Sequence, residues 1–154
     1  MASPLKYTDG VTRRHAAAIL RVSTALLLVL VSTAAAVAEH TAYYRYVILG
    51  FAADARGRPL ASLPVEVIRD KTGLAHHGET DEKGFYLLVV RLGDESVGER
   101  LTLRVGSAQT WLTARFDPDN HVHERGTRVD LVAGKPVERA DRFRSTLRDF
   151  LAAQ

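Results

Sequence analysis

Two histidine pairs are the side chains of this sequence best suited to metal chemistry. His121 and His123 are two positions apart, so an extended segment would project both imidazoles from one face. His76 and His77 are adjacent and would add a third ligand if their loop meets the first. Because imidazole nitrogens suit copper and zinc, these four residues are the predicted metal ligands. The alternative is that all four are solvated loop residues, since neither pair has the spacing of a motif such as H-E-x-x-H.

Catalytic arrangements have less support in the residue spacing. The serines do not occur in a Gly-x-Ser-x-Gly setting, and a tight turn explains the acids Glu79, Asp81 and Glu82. The sequence therefore predicts a protein that is not an enzyme, with a hydrolase as the residual alternative. No cofactor is expected unless copper or zinc binds.

Aromatic residues form the other candidate site. Trp111, Tyr43, Tyr44 and Tyr46 would make a carbohydrate-binding face if they are exposed. Aromatic residues in alternating strands more often lie in the core, because large rings supply much of the buried area. The sequence alone leaves both interpretations open.

The charge balance argues against a nucleic-acid partner. The net charge of +3 is carried by residues 1–38, where four basic residues stand against Asp9. The rest of the chain has 17 basic and 17 acidic residues and no basic run. Binding to phosphates needs a local surplus of cations, so no nucleic-acid partner is predicted. Cysteine is absent, which excludes disulfides and thiolate metal sites.

Residues 1–38 have the order of a secretory signal. Basic residues precede the apolar stretch 22–31, small residues follow, and cleavage is expected after Ala38. The alternative is an uncleaved membrane anchor, because residues 22–38 are 17 uncharged residues, the lower limit for crossing a bilayer. The predicted location is periplasmic or secreted. The alternative is a membrane-anchored protein that faces the periplasm, with membrane contact through residues 22–38.

Residues 39–134 are predicted to form an all-β sandwich domain. Short runs rich in β-branched and aromatic residues, the first from Tyr43, alternate with turns that contain Asp, Gly and Pro. Residues 85–90, FYLLVV, are apolar at every position, which is typical of a central strand. Residues 71–84 are polar and are predicted to be a connection. Strands at regular spacing without intervening helices favour two packed sheets.

Residues 135–154 are predicted to form a short C-terminal amphipathic helix. Ala140, Phe143, Leu147 and Phe150 are three or four positions apart and would line one face. Docking of this face on the domain's own sheet is the favoured interpretation, because most amphipathic helices cover a core. Contact with a partner or with a membrane is the alternative.

Turn residues occur in a fixed order, with patterned strands between them. They are Gly50-x-x-x-Asp54-x-x-Gly57-x-Pro59-Leu60, then Val65-x-Val67, then Thr80-Asp81-Glu82-x-Gly84-Phe85. Over roughly residues 45–133 this order resembles the carboxypeptidase regulatory-like domain family. The resemblance implies a transthyretin-like (immunoglobulin-like) fold, a seven-stranded Greek-key β-sandwich, and a non-catalytic role.

Together these features predict an exported, non-catalytic accessory module that acts by protein–protein contact in the periplasm or cell envelope. The first alternative is a periplasmic copper- or zinc-binding protein that uses the four histidines. The second is a carbohydrate-binding module.

Overall fold

The computed structural model describes residues 42–153 of the chain. The signal peptide or membrane anchor predicted for residues 1–38 lies outside the described residues. Within the part that is described, no helix is both long enough and apolar enough to cross a membrane.

The described chain contains eight strands and one α-helix. Two single-turn 3₁₀ segments, Asp94–Ser96 and Ala140–Arg142, connect them in places. In chain order the elements are β1 Tyr43–Ala53, β2 Pro64–Arg69, β3 Leu74–Glu79, β4 Phe85–Gly93, β5 Arg100–Val105, β6 Ala108–Thr113, β7 Arg125–Val132, β8 Lys135–Glu138 and α1 Phe143–Ala152.

The strands form two four-stranded sheets. Sheet 1 has the order β4-β1-β7-β8, and sheet 2 has the order β3-β2-β5-β6. All neighbours are antiparallel except β1 and β7, which run parallel. Apolar side chains from both sheets meet in one core between them. The prediction of an all-β sandwich with a short C-terminal helix is confirmed at this level.

The predicted count of seven strands is wrong, because residues 42–153 form eight. β3 has a polar sequence that suggests a connection, but it pairs along its length with β2. It is an edge strand with mostly exposed side chains, which hides the alternation expected of a strand. β8 falls within the predicted helix. The two-residue turn Ala133-Gly134, with φ of 51° and 77°, folds β8 back onto β7.

β1 lies between β4 and β7 in sheet 1, and apolar side chains cover both of its faces. Tyr46 and Ile48 point into the core between the sheets, while Val47 and Leu49 point to the other side. The prediction of a central strand at residues 85–90 is wrong, since β4 lies at the edge of sheet 1. β4 is apolar on both faces because its second face packs against the cluster that includes the C-terminal helix.

α1 packs on the outer face of sheet 1. Its Phe143 and Leu147 are 3% and 6% exposed and cluster with Val47 and Leu49 of β1. Burying a side chain of this size contributes about 1.5–3 kcal/mol. The favoured interpretation, docking on the domain's own sheet, is confirmed. The predicted span 135–154 starts too early, because its first residues form β8.

The turn before β4 is built around Asp81. Its Oδ1 accepts the backbone N–H groups of Lys83 and Phe85, each at 2.8 Å. Gly84 has a φ of 73°, and a Cβ there would lie 2.4 Å from the carbonyl oxygen of Ala52. The Thr-Asp-x-x-Gly-Phe motif therefore has a structural explanation in this chain, as expected for Asp81.

Candidate binding surface

Sheet 2 has an outer face on which no described element packs, whereas α1 covers the outer face of sheet 1. Side chains such as Val67, Leu101 and Leu103 point inward to the core, so the alternate positions point outward. We call this outward surface the open face. It consists of the side chains of Pro64, Glu66, Ile68, Asp70, Ala75, His77, Glu79, Arg100, Thr102, Arg104, Gln109, Trp111 and Thr113.

Trp111 is the largest side chain of the open face and is 65% exposed. It lies on β6 directly opposite Thr102 of β5. The guanidinium carbon of Arg100 lies 5.9 Å from the centre of the indole ring. Tryptophan and arginine are enriched where protein surfaces bind other molecules, because a large rigid ring provides contact area at a low entropy cost.

The predicted aromatic face does not form one surface. Tyr46 is 1% exposed, and burial raises its pKa to about 12. Tyr43 is 54% exposed but lies at the start of β1 in sheet 1. Tyr44 stacks on the ring of His121, with centroids 4.5 Å apart. Of the four predicted aromatic residues, Trp111 is the member that belongs to the open face.

Asp70 holds two side chains of the open face in place. Its Oδ2 lies 2.5 Å from Nε of Arg100, and its Oδ1 accepts the hydroxyl of Thr102 at 2.7 Å. These hydrogen bonds, from Thr102 first and then Arg100, hold the pKa of Asp70 below its ordinary value. The arginine beside Trp111 is therefore paired with an ionised carboxylate at neutral pH.

A second row of polar side chains runs across the same four strands. Nη1 of Arg104 lies 2.8 Å from Oε2 of Glu66, and its Nε donates to Oε1 of Gln109 at 3.0 Å. Nδ1 of His77 lies 3.7 Å from Oε1 of Glu66. Each of the two arginines of the open face is thus paired with a carboxylate, and Glu79 at the edge adds a third carboxylate.

A buried ion pair supports the end of sheet 2 beneath this face. Nε and Nη2 of Arg69 donate to the Glu99 carboxylate at 2.5 and 2.8 Å, and Nη2 also donates to Oγ of Ser96 at 3.0 Å. The hydrogen bond from Arg69 holds the pKa of Glu99 below its ordinary value, although desolvation opposes the shift. The pair joins β2 to the turn before β5.

The predicted histidine ligand His121 belongs to a brace at one end of the sandwich. Its Nε2 lies 3.1 Å from Oδ2 of Asp94. Arg125, whose side chain is 6% exposed, lies between the rings of Tyr44 and Phe116 at 4.5 and 4.4 Å. Desolvation would raise the pKa of Asp94, but the neighbouring Arg125 and His121 hold it below its ordinary value. This arrangement fixes the segment between β6 and β7 to the rest of the domain.

The four predicted metal ligands do not assemble into one cluster. His76 and His77 lie in β3, so the prediction that they lie in a loop is wrong, and as neighbours in a strand they point to opposite faces. The segment with His121 and His123 is not extended, because Oδ1 of Asn120 accepts two backbone N–H groups of a turn at 3.1 Å. Across residues 42–153, no three His, Cys, Asp or Glu side chains lie close enough to hold a metal ion.

A cavity of about 380 Å³ lies between that segment and the start of α1. His123 lines it together with side chains of both charges. The charged residues of its wall are Arg115, Asp117, Glu124, Arg125, Asp141 and Arg144. Since neither sign dominates, the wall does not favour an ionic ligand of one charge.

The ion pairs of the open face were not predicted from the sequence. The alternation in β5 shows that Arg104 points away from the core. Its partner Glu66 is 38 positions away, and Asp70 is 30 positions from Arg100. Only the register between β2 and β5 brings these residues together, and no local pattern encodes that register.

No family model matches the chain, and no curated protein sequence matches it. Among solved structures, the dioxygenase domain of a dioxygenase carbohydrate-binding protein fusion from Streptomyces sp. SirexAA-E is 16% identical, with a TM-score of 0.41, over 62% of this chain and 83% of that one. Catechol 1,2-dioxygenase from an Acinetobacter species, inhibited by bound mercury, is 16% identical, with a TM-score of 0.40, over 60% of this chain and 45% of that one.

A third structure, 3-chlorocatechol 1,2-dioxygenase from Rhodococcus opacus, is 14% identical, with a TM-score of 0.37, over 65% of this chain and 58% of that one. The chain therefore spans less than two thirds of the second and third structures. TM-scores this low carry no argument about the activity of this chain.

Proposed function

We propose that the chain is an exported, non-catalytic β-sandwich module that acts by binding another component of the periplasm or cell envelope. The order of residues 1–38 supports export, with the membrane-anchored form facing the periplasm as the alternative. The turn motifs of residues 50–60 and 80–85 support a transthyretin-like Greek-key sandwich of the carboxypeptidase regulatory-like type. Because folds of this kind host many functions, the role must come from a surface.

The difference between the two sheets is the observation that carries this proposal. The apolar outer face of sheet 1 is used within the chain, because α1 packs on it. The open face of sheet 2 instead presents Trp111 at 65% exposure. Arg100 and Arg104, on either side of it, are already held by carboxylates. Side chains that are fixed before binding lose little conformational entropy when a ligand arrives.

Co-sedimentation with envelope material tests this proposal. The purified chain is mixed with washed envelopes of the producing cells, extracted with detergent so that residues 22–38 meet no bilayer. We expect the wild-type chain to sediment with the envelopes and Trp111→Ala to do so at least fivefold less. Leu151→Ala is the matched control, because Leu151 is 57% exposed on α1 and distant from sheet 2.

Two results would contradict the proposal. One is a wild-type chain that stays in the supernatant. The other is a Trp111→Ala chain that sediments as fully as the wild type. The Trp111→Ala variant must have the far-UV circular dichroism spectrum and the urea midpoint of the wild type, so that unfolding does not explain a loss of binding.

A further inference from the structure

The open face has the composition of a surface for sugars more than of one for proteins. Trp111 is its one large aromatic side chain, and the positions facing it across the sheet are Thr102, then Ile68, then Ala75. The neighbouring row across the sheet consists of polar and charged side chains, namely His77, Glu66, Arg104 and Gln109. The centre of a protein–protein contact is enriched in arginine and aromatic residues, but it is depleted in aspartate and glutamate and has several apolar side chains. A single ring beside a polar row does not match that composition.

The charges of the open face also limit the class of ligand. Arg100 pairs with Asp70, and Arg104 pairs with Glu66. A polyanion such as a nucleic acid or an acidic polysaccharide would need unpaired cations to replace its counterions. Both arginines are already matched and Glu79 adds a third carboxylate, so this surface does not favour an anionic ligand.

The polar row offers donors and acceptors on the strand positions next to the ring. Arg104 donates to Glu66 and to Gln109, which leaves the amide N–H₂ of Gln109 and further guanidinium N–H groups for other partners, and both residues are exposed. The carboxylates of Glu66 and Asp70 have lone pairs to accept further hydrogen bonds. Hydroxyl groups that both donate and accept can bond to such a set, and bonds to charged partners are the stronger ones.

From these observations we propose that the open face binds a neutral polysaccharide. One sugar ring stacks its C–H face on Trp111, and hydroxyl groups of the same chain bond to the row formed by Glu66, Arg104 and Gln109. Asp70 and Arg100 contact a neighbouring sugar of the same chain, on the side of the indole away from that row. This inference rests on the proposed function and names the class of its ligand.

Calorimetric titration of the full chain with defined polysaccharides tests the inference. The probes are soluble hydroxyethylcellulose, xyloglucan, amylose and dextran, with polygalacturonate as an anionic comparison. Trp111 is the only tryptophan of the chain, so its fluorescence reports on the open face directly. We expect at least one neutral polysaccharide to bind and to protect this fluorescence from quenching by acrylamide.

Three variants make the titration specific. Trp111→Ala should weaken binding about ten- to a hundredfold, the effect of removing one large apolar contact. Trp111→Phe should restore most of the affinity, because it restores a ring. Tyr43→Ala should bind like the wild type, since Tyr43 is a similarly exposed aromatic residue in the other sheet.

The outcomes separate this inference from the proposed function. The inference is overturned if none of the four neutral polysaccharides binds, if Trp111→Ala binds them as well as the wild type, or if polygalacturonate binds more tightly. If none binds, yet co-sedimentation with envelopes still depends on Trp111 and is lost after protease treatment, the ligand is a protein and the proposed function stands. If co-sedimentation does not depend on Trp111 either, both fail.

Discussion

Replacing Phe143 with alanine should remove most of the attachment of α1 to sheet 1. The ring is 3% exposed and clusters with Val47 and Leu49. Phenylalanine-to-alanine changes in cores cost about 3–5 kcal/mol, the sum of lost transfer free energy and the cavity that remains. A helix of ten residues is unstable in water on its own, so α1 should detach from the sheet when this contact is lost. We expect the free energy of unfolding to fall by about 4 kcal/mol.

Urea unfolding followed by far-UV circular dichroism measures this change, provided that the slope of the transition stays constant. Leu147→Ala, at the other buried position of α1, should cost about 2–5 kcal/mol. Leu151→Ala, at an exposed position of the same helix, should cost less than about 0.5 kcal/mol. If Phe143→Ala unfolds at the same urea concentration as Leu151→Ala, α1 is not docked on sheet 1 and is free to contact a partner.

Three other predictions follow from the described contacts. Because Arg69 holds the pKa of Glu99 low, the pair stabilises the fold above the ordinary glutamate pKa of about 4.3, and this stability is lost as the pH falls through the lowered value. Urea midpoints between pH 5 and pH 3 should therefore fall more steeply for the wild type than for Glu99→Gln, and equal slopes would refute the role of the pair. Gly50→Ala should cost about 3 kcal/mol, because its Cβ would lie 1.7 Å from the carbonyl oxygen of Val129; a urea midpoint like that of the wild type would show that β1 and β7 are less closely packed. Calorimetric titration with copper and with zinc should show binding weaker than about 1 μM, since the histidines do not form a group of three ligands; tighter binding that disappears in a His121→Ala, His123→Ala double variant would establish the metal site instead.

Local patterns predicted the elements whose apolar face is regular. The three- and four-residue spacing of α1 appears in the structure, because this helix buries one side. β3 was not predictable in this way. It pairs with β2 through backbone hydrogen bonds while most of its side chains face solvent, so its sequence has no apolar period.

Partners across the sheets could not be predicted for a different reason. The alternating pattern identifies Trp111 and Arg104 as residues of strands, but their neighbours depend on register. Asp94 and Arg125 are a further example, since an ion pair between them forms where the end of β4 meets the start of β7. The histidines were the most visible candidates in the sequence, and the structure places them in a strand and in a braced turn.

The most direct test of the binding surface is the fluorine NMR signal of a chain grown with 5-fluorotryptophan. The chain has one tryptophan, so a single resonance reports on the open face. The spectrum is recorded with magic-angle spinning on the sediment formed with washed, detergent-extracted envelopes, and binding through Trp111 predicts that this resonance loses its solvent isotope shift. A solvent isotope shift equal to that of the free chain, in a chain that does co-sediment, would show that the envelope binds another surface and would contradict the account.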